Sequence, residues 1–200
     1  MNYLAHAYLS FDQPEILVGN IISDYIKGKK QYDYPLSIQK GIRLHRAIDA
    51  FTDNHPATKQ AKQYLKPAVG AYAGAFIDIV FDHYLALDVT IFPTSTALSV
   101  FAKNTYQILD IHQAIFPEKF KKAFPYMREN NWLYNYQFDW GIEKSFASIA
   151  RRAAYLTSSE DCFKLWQEHY EPIKQLYQNF FPGLKEYSFE YLQNQLHRNL

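Results

Sequence analysis

The stretch AFIDIVFDHYLAL, residues 75–87, decides the fold, because it is apolar on nearly every side of a helix. A helix of this kind lies in the centre of a protein and is surrounded by other elements. Its exceptions are Asp78, Asp82 and His83. At about 100° per residue, the two acids lie about 40° apart, in one stripe with small and aliphatic side chains. The stretch therefore predicts a buried helix that carries ionisable groups into the core.

Helical periodicity continues on both sides of this stretch, and no run alternates in the manner of a strand. Proline and glycine mark the segment ends, with Pro67 opening the central helix and Ser37 capping the helix that follows Pro35. The predicted helices cover roughly residues 14–28, 37–53, 57–66, 67–89, 95–115, 118–130, 139–154, 159–180 and 185–197. Residues 1–200 are therefore expected to form one all-α domain, a helical bundle.

The composition excludes several classes of protein. The formal net charge of the 200 residues is +1, which gives no global electrostatic case for binding nucleic acid or a membrane surface. The single cysteine, Cys162, excludes an internal disulfide and suits a reducing compartment. No signal peptide is recognisable, and no uncharged apolar run approaches the roughly 20 residues that span a bilayer. We expect a soluble cytoplasmic protein.

The run GIRLHRAIDAFTDNHP, residues 41–56, concentrates ionisable residues on one helix. With His45 set at zero on a helical wheel, Asp49 falls at about 40° and Asp53 at about 80°. Ile38 and Ile42 fall at about 20° and 60°, on the same side. The imidazole and the two carboxylates therefore continue the apolar face of this helix instead of opposing it.

Two other segments carry similar groups. Asn20 and Asp24 lie one helical turn apart beside apolar residues, and His6 lies in the apolar run NYLAHAYL. Carboxylates are costly to bury unless they are compensated, and one divalent cation would compensate several acids and imidazoles at once. Mixed nitrogen and oxygen ligands suit Mn, Fe, Zn or Mg, and such an ion activates a water and offsets the charge of a phosphoryl group.

Structural explanations compete with this metal site. A single histidine on an apolar face is usually a hydrogen-bonded core residue, which is the alternative for His6. For Asp49 and Asp53 the alternative is a salt bridge to Arg43, to Arg46 or to a neighbouring helix. The residue pattern alone leaves both interpretations open.

Four motifs follow one another along the first part of the chain. They are N-Y-L-A-H from Asn2, G-N-x-x-x-D from Gly19, G-I-x-x-H-R-x-I-D-x-x-T-D-N from Gly41 and D-x-x-x-D-H from Asp78. NWLYNY at 131–136 and the pair Arg151-Arg152 come later. In this order the motifs resemble those of the acyl-carrier-protein phosphodiesterase family, and the ordered set is far more specific than any one of its members.

The resemblance implies an all-helical fold that is a divergent relative of the HD-type metal-dependent phosphohydrolases. It implies hydrolysis of the phosphodiester that joins 4′-phosphopantetheine to a serine of holo acyl carrier protein, which releases the apo protein. It also implies a divalent metal, typically Mn²⁺. The usual HD signature is altered here, since Arg46 follows His45 and Asp82-His83 stands in reversed order. The ligand set of HD enzymes therefore does not transfer directly.

The resemblance and the helical-wheel positions together nominate the site residues. The expected metal ligands are a subset of His6, Asp24, His45, Asp82 and His83, with Mn²⁺ preferred and Mg²⁺ or Fe²⁺ as alternatives. The expected catalytic residues are Asp24, Asp49, Asp53 and Arg46, among which Asp49 or Asp53 orients the attacking water or serves as general base. Arg151 and Arg152 are further candidates to neutralise phosphate charge, and the alternative for this pair is a solvated helix end.

The expected partner is holo acyl carrier protein, which the resemblance makes an acidic substrate. Two lysine clusters are candidates to guide its docking, with an ordinary solvated surface as the alternative: Lys27, Lys29 and Lys30, and Lys119, Lys121 and Lys122. Two rival functions stay open. One is a metal-dependent phosphohydrolase that acts on a nucleotide or another small phosphate ester, and the other is a non-catalytic helical module that binds a partner.

Overall fold

Helices dominate the regular structure. The computed structural model describes residues 1–156 and 158–197, and this part of the chain has eleven α-helices and no β-strand. The α-helices are α1 (Tyr3–Tyr8), α2 (Pro14–Ile22), α3 (Leu36–Asn54), α4 (Pro56–Val69), α5 (Ala73–Ala86), α6 (Ser95–Ile111), α7 (Glu118–Glu129), α8 (Trp132–Asn135), α9 (Asp139–Arg152), α10 (Glu160–Glu168) and α11 (Tyr170–His197). Short 3₁₀ helices lie at Ser23–Tyr25, Gly28–Asp33, Gly70–Tyr72 and Gln113–Ile115. The all-α prediction is confirmed.

The predicted central helix is α5. Every residue from Ile79 to Ala86 is buried, which is more than two full turns and therefore all sides of the helix. It packs against α1, α4, α9 and α11. Burying one large apolar side chain contributes roughly 1.5–3 kcal/mol, so this helix organises much of the core. Because polar groups within it are shielded from water, Asp82 and His83 must find partners inside the protein.

Helices α2 and α3 cross at two glycines with their backbones in contact. A Cβ atom added at Gly19 would lie 2.1 Å from the main-chain oxygen of Ile38, and one at Gly41 would lie 2.2 Å from that of Ile16. Because no side chain fits at such distances, both positions require glycine. The crossing therefore fixes the separation between the polar face of α2 and that of α3.

The prediction that Pro67 opens the central helix is wrong. Pro67 lies inside α4, which continues to Val69. A proline removes one hydrogen bond of its helix, a modest loss so close to the helix end. The break occurs at Gly70, whose φ of 53° is left-handed and incompatible with continuing the helix. The central helix therefore begins at Ala73, after one 3₁₀ turn.

Other predicted boundaries also differ from the structure. The first predicted helix ends at Ile22, because the chain tightens into the 3₁₀ turn Ser23–Tyr25. Ser37 lies within α3 and is not its cap. The two helices predicted at 159–180 and 185–197 are divided at a different place in the structure. The break lies at His169, and α11 continues through Pro182. The short helices α1 and α8 were not predicted, since neither is long enough to show a helical period.

Helix α4, the 3₁₀ turn Gly70–Tyr72 and α5 follow one another without a loop, over Pro56–Ala86. These 31 residues are sufficient to span a membrane by length and composition. The left-handed turn at Gly70 interrupts the stretch, and the apolar side chains of α5 lie in the protein core. The apolar character of the α5 part is therefore accounted for by its packing in the core.

Candidate functional site

Two imidazoles from different helices stack next to the α2–α3 crossing. His6 comes from α1 and His45 from α3, and their ring centroids lie 4.0 Å apart with 18° between the ring planes. Both side chains are buried. Because two stacked imidazolium ions would repel each other strongly in a buried place, the pair holds at most one positive charge.

Asn20 orients both rings. Its side-chain oxygen lies 2.8 Å from His6 Nδ1, and its main-chain oxygen lies 2.8 Å from His45 Nδ1. The amide is not reversed, because its nitrogen donates to the main-chain oxygen of His6 and to Ser10 Oγ. Since both neighbours of the rings are acceptors, both Nδ1 atoms carry a hydrogen and donate it. The Nε2 atoms of the two rings are thereby left to face the opposite side.

Carboxylates lie on that opposite side. His6 Nε2 lies 3.3 Å from Asp49 Oδ1, and His45 Nε2 lies 3.1 Å from both Asp49 Oδ2 and Asp24 Oδ1. The ligand atoms of His6, His45 and Asp49 all lie within 4.8 Å of one another. His6 Nε2 is buried and has no hydrogen-bond partner. A lone pair that faces carboxylate oxygens without a partner is repelled by them, and a cation between these groups removes the repulsion.

The pKa values of the cluster correspond to one shared proton. Burial and the nearby His45 lower the pKa of His6 to about 4. Burial opposes protonation of His45 as well, but its hydrogen bonds to Asp24 and Asp49 outweigh that effect and raise its pKa to about 9. Burial works against ionisation of Asp49, yet the two imidazoles hold its pKa below the usual range, and the bond to His45 does the same for Asp24. At neutral pH His45 therefore carries the proton, between two carboxylates.

The donor set fits a divalent metal ion. Two imidazole nitrogens and a carboxylate converge, and each imidazole is held through its other nitrogen by an oxygen, as is usual for metal-binding histidines. The geometry places Asp49 among the candidate ligands, whereas the sequence had assigned it to the attacking water. Asp24 lies beside the group, with its side chain 69% exposed.

A cavity of about 160 Å³ opens beside the cluster. Its wall consists of Met1, Asp24, Asp49, Thr52, Asp53 and Asp78. Asp78 accepts a 2.8 Å hydrogen bond from the N-terminal ammonium of Met1. Burial raises the pKa of the Asp78 carboxyl, and the ammonium opposes that shift. The cavity wall therefore carries four carboxyl groups and one ammonium, which makes it acidic.

Asp82 and His83, predicted as metal ligands, have other partners. Asp82 accepts hydrogen bonds from the main-chain N–H groups of Asn2 at 3.1 Å and Leu4 at 2.7 Å, so its carboxylate caps the start of α1. His83 lies between the main-chain oxygen of Tyr136 at 2.7 Å and the hydroxyl of Tyr170 at 3.0 Å. Within the described ranges, neither residue belongs to the converging ligand group. Asp82 supports the site indirectly, because it fixes the helix that carries His6.

Asp53 and Arg46 lie at the edge of the site. The Asp53 side chain is 70% exposed and pairs with Lys62 Nζ at 2.7 Å. Arg46 is exposed and donates to Gln31 Oε1 at 2.9 Å. Asp53 was the residue furthest round the predicted apolar face, since residues four apart drift by about 40°, and it also lies one residue before the end of α3.

Comparison with known proteins identifies the family. A family model described as acyl carrier protein phosphodiesterase matches residues 1–184. The chain belongs to this family. Relatives named acyl carrier protein phosphodiesterase occur in Photorhabdus laumondii (29% identity over 93% of this chain and 94% of that protein), Pectobacterium atrosepticum (29% over 93% and 96%) and Yersinia pestis (28% over 92% and 95%). No solved structure matches the chain, so the relationship to HD phosphohydrolases stays a prediction.

Acyl carrier protein phosphodiesterases are phosphoric diester hydrolases, and their substrate is an anion. In this member, the hydroxyls of Tyr3 and Tyr25 lie 2.9 Å apart beside Asp24. Burial raises the pKa of Tyr3 well above its usual value, while the charge of Arg152 opposes the shift. Arg151 and Arg152 are both exposed at the end of α9, and Arg152 Nε donates to the main-chain oxygen of Ser148 at 3.1 Å.

The sequence analysis did not predict the anchoring role of Asn20. The signal was present, since Asn20 precedes Asp24 by one turn within the motif that carries the family resemblance. Its side-chain oxygen accepts a hydrogen bond from His6 Nδ1, but it is its main-chain oxygen that accepts from His45 Nδ1. A main-chain contact across a helix crossing has no signature in residue types.

Proposed function

We propose that this chain hydrolyses the phosphodiester between 4′-phosphopantetheine and a serine of holo acyl carrier protein, giving apo acyl carrier protein and 4′-phosphopantetheine. The observation that carries the proposal is the cluster of His6, His45 and Asp49, in which a buried, unpartnered nitrogen faces a carboxylate oxygen. The name that the relatives carry supplies the substrate class.

We assign His6, His45 and Asp49 to hold a divalent cation, with Mn²⁺ preferred and Mg²⁺ or Fe²⁺ as alternatives. Such an ion, when bound, lowers the pKa of a water and offsets negative charge on the phosphoryl group. His45 must release its proton to become a ligand, and Asn20 keeps its Nε2 directed at the carboxylates after that release.

Asp24 is the general base of this proposal. Its carboxylate lines the cavity and is largely exposed, so a water molecule has access to it. The bond to His45 lowers the pKa of Asp24 and so weakens it as a base. This effect ends when His45 releases its proton to bind the cation, and the ionised Asp24 carboxylate is then available to accept the proton of an attacking water. Arg152, exposed at the end of α9, and the paired hydroxyls of Tyr3 and Tyr25 are the candidate donors for phosphate oxygens.

Both lysine clusters border the Asp24 side of the site. Lys27, Lys29 and Lys30 follow Asp24 in the chain, and all are exposed. Tyr25 contacts Phe120 with ring centroids 5.3 Å apart, which brings Lys119, Lys121 and Lys122 to the same region. We propose that an acidic carrier protein docks on these lysines, in the cytoplasm. Because salt screens the attraction between opposite charges, KM should rise with ionic strength. A KM indifferent to salt would contradict this docking mode.

The reaction is tested by mass spectrometry of holo acyl carrier protein after incubation with the protein and Mn²⁺. We expect loss of the phosphopantetheine mass, and no loss when EDTA replaces the metal. A panel of nucleotides and small phosphate esters is run in parallel. Turnover of that panel, with holo acyl carrier protein unchanged, would favour a small-ester phosphohydrolase, and the absence of metal binding and of all turnover would favour the non-catalytic module.

The residue assignments need variants that separate metal binding from chemistry. We expect His6→Ala and His45→Ala to lose bound metal and activity together. His112→Gln is the control, at a histidine that follows α6 and donates to the main-chain oxygen of Ile108. Asp24→Asn should keep the metal and lose at least about 100-fold in kcat. Asp33→Asn is the matched control, because this exposed acid lies on the neighbouring 3₁₀ helix. Loss of metal in Asp24→Asn would make Asp24 a ligand instead of a base.

A further inference from the structure

A second cavity, of about 480 Å³, lies between α4 and the start of α5. Its wall consists of Asp53, Lys62, Gln63, Lys66, Gly70, Ala71, Ala73, Gly74, Ala75 and Asp78. Asp53 and Asp78 also belong to the wall of the cavity beside the histidine cluster. The two cavities are therefore neighbours that meet at these two acids.

Lys62 lies where the two cavities meet. Its ammonium is 2.7 Å from Asp53 Oδ1, and its side chain is only 24% exposed although the Asp53 side chain is 70% exposed. The stem of the lysine lies against Gly74, because a Cβ atom added there would be 3.4 Å from Lys62 Cε and 3.5 Å from its Nζ. The ammonium is therefore held at the junction from two sides.

Stability does not account for this arrangement. An ion pair with a mostly exposed partner contributes little to stability, and ordering a lysine side chain costs conformational entropy. The pair between Lys62 and Asp53 thus adds little to the free energy of unfolding. Lys62 can therefore exchange Asp53 for another anion with little effect on the stability of the fold.

The charge of the site gives such an exchange a role. The cavity wall beside the cluster carries the carboxylates of Asp24, Asp49, Asp53 and Asp78 against a single ammonium, which Asp78 already binds. A phosphodiester anion is repelled from such a wall unless a cation meets it. Lys62 is the lysine whose ammonium contacts that wall.

We propose that Lys62 is a phosphate-binding residue of the site. On arrival of the substrate its ammonium exchanges the Asp53 carboxylate for a non-bridging phosphate oxygen, and Asp53 holds it in place between turnovers. The identity of the substrate rests on the proposed function, whereas the binding of a phosphate group at Lys62 does not.

Charge variants test the contact. Lys62→Gln should lower kcat/KM for holo acyl carrier protein by about 10- to 100-fold, the range expected for loss of one charge-assisted hydrogen bond. Lys62→Arg should restore activity to within about threefold of the wild type, because the guanidinium also pairs with phosphate oxygens. Lys59→Gln, one turn earlier on α4 and exposed, should have no effect. Equal kcat/KM for Lys62→Gln and the wild type would overturn the proposal.

A geometric variant keeps the charge and moves it. Gly74→Leu fills the space that the Lys62 stem occupies and should reproduce the loss seen in Lys62→Gln. Gly74→Ala is the matched control, since its added Cβ makes ordinary contact with Lys62. Combining Gly74→Leu with Lys62→Gln should add no further loss, because both remove the same contact. Full additivity of the two losses would count against a shared cause.

Binding of inorganic phosphate separates this proposal from the proposed reaction. Calorimetry on the Mn²⁺-loaded protein should show phosphate binding that weakens at least about tenfold in Lys62→Gln and not in Lys59→Gln. If this result is obtained while holo acyl carrier protein is not hydrolysed, the proposed function fails and the phosphate site stands. If the substrate is hydrolysed but Lys62→Gln binds phosphate as the wild type does, the phosphate site fails alone.

Discussion

Replacing Asn20 with alanine tests how the histidine cluster is held. The amide makes three hydrogen bonds in the core, to His6 Nδ1, to the main-chain oxygen of His6 and to Ser10 Oγ. The main-chain oxygen of His6 keeps Ser10 as a partner, but His6 Nδ1 is left with none. The orphaned donor costs about 1–3 kcal/mol and each of the two other lost hydrogen bonds about 1 kcal/mol, so the free energy of unfolding should fall by about 3–5 kcal/mol.

The larger effect of Asn20→Ala should fall on metal binding. Without the Asn20 side chain, the His6 ring loses the contact that fixes its rotation and keeps the hydrogen on Nδ1. Loss of such an outer contact lowers metal affinity by about 10- to 100-fold. His45 keeps its own anchor, since that is a main-chain oxygen, so the affinity should decrease without disappearing.

Titration calorimetry of the metal-free protein with Mn²⁺ measures this effect, alongside denaturant unfolding. Ser10→Ala is the matched control, because it removes neighbouring hydrogen bonds but leaves the bond between Asn20 and His6 Nδ1 intact. It should destabilise the protein by about 1–2 kcal/mol and leave the Mn²⁺ affinity unchanged. A folded Asn20→Ala protein that binds Mn²⁺ as tightly as the wild type would refute the proposed anchoring.

Three further outcomes are expected. Metal binding must displace the proton from His45, whose pKa is about 9, so Mn²⁺ affinity should fall about tenfold per pH unit below that value. Calorimetry at pH 7.5, in buffers of different ionisation enthalpy, should show release of about one proton. A pH-independent affinity would contradict this. Burial raises the pKa of Cys162 to about 12, so iodoacetamide at pH 8 should label the native protein at least about 100-fold more slowly than the unfolded chain. Gly41→Ala should destabilise the protein by about 3 kcal/mol or more in thermal unfolding, since its Cβ would lie 2.2 Å from a carbonyl oxygen.

Periodicity identified the faces of single helices well. On α3 the residues Ile38, Ile42 and His45 are buried as predicted, and Asp49 follows on the same side at the edge of the cavity. The prediction held because α3 is amphipathic, so the direction of a side chain decides whether it meets core or solvent. Asp53, one turn further, lies outside that face.

Periodicity gave no such guidance on α5. From Ile79 to Ala86 this helix is buried on every side, so a direction on its wheel does not tell which neighbour a side chain meets. Asp82 was predicted to bind metal but meets the main chain of α1, and His83 meets Tyr136 and Tyr170. These partners depend on how α1 and α11 pack, which is a property of the assembled fold.

The glycine crossing of α2 and α3 has a consequence for ion selectivity. His6 is tied to α2 through Asn20, and His45 and Asp49 belong to α3, so the spacing of the ligands follows from two backbones in direct contact at Gly19 and Gly41. No rotamer change allows such a contact to widen or close. Ligand distances differ from about 2.0–2.1 Å for Mg²⁺ to about 2.3–2.6 Å for Ca²⁺, and a frame that does not adjust discriminates between ions by radius. We therefore expect the proposed metal site to discriminate between ions by radius, because Gly19 and Gly41 fix the separation of the helices that hold its ligands.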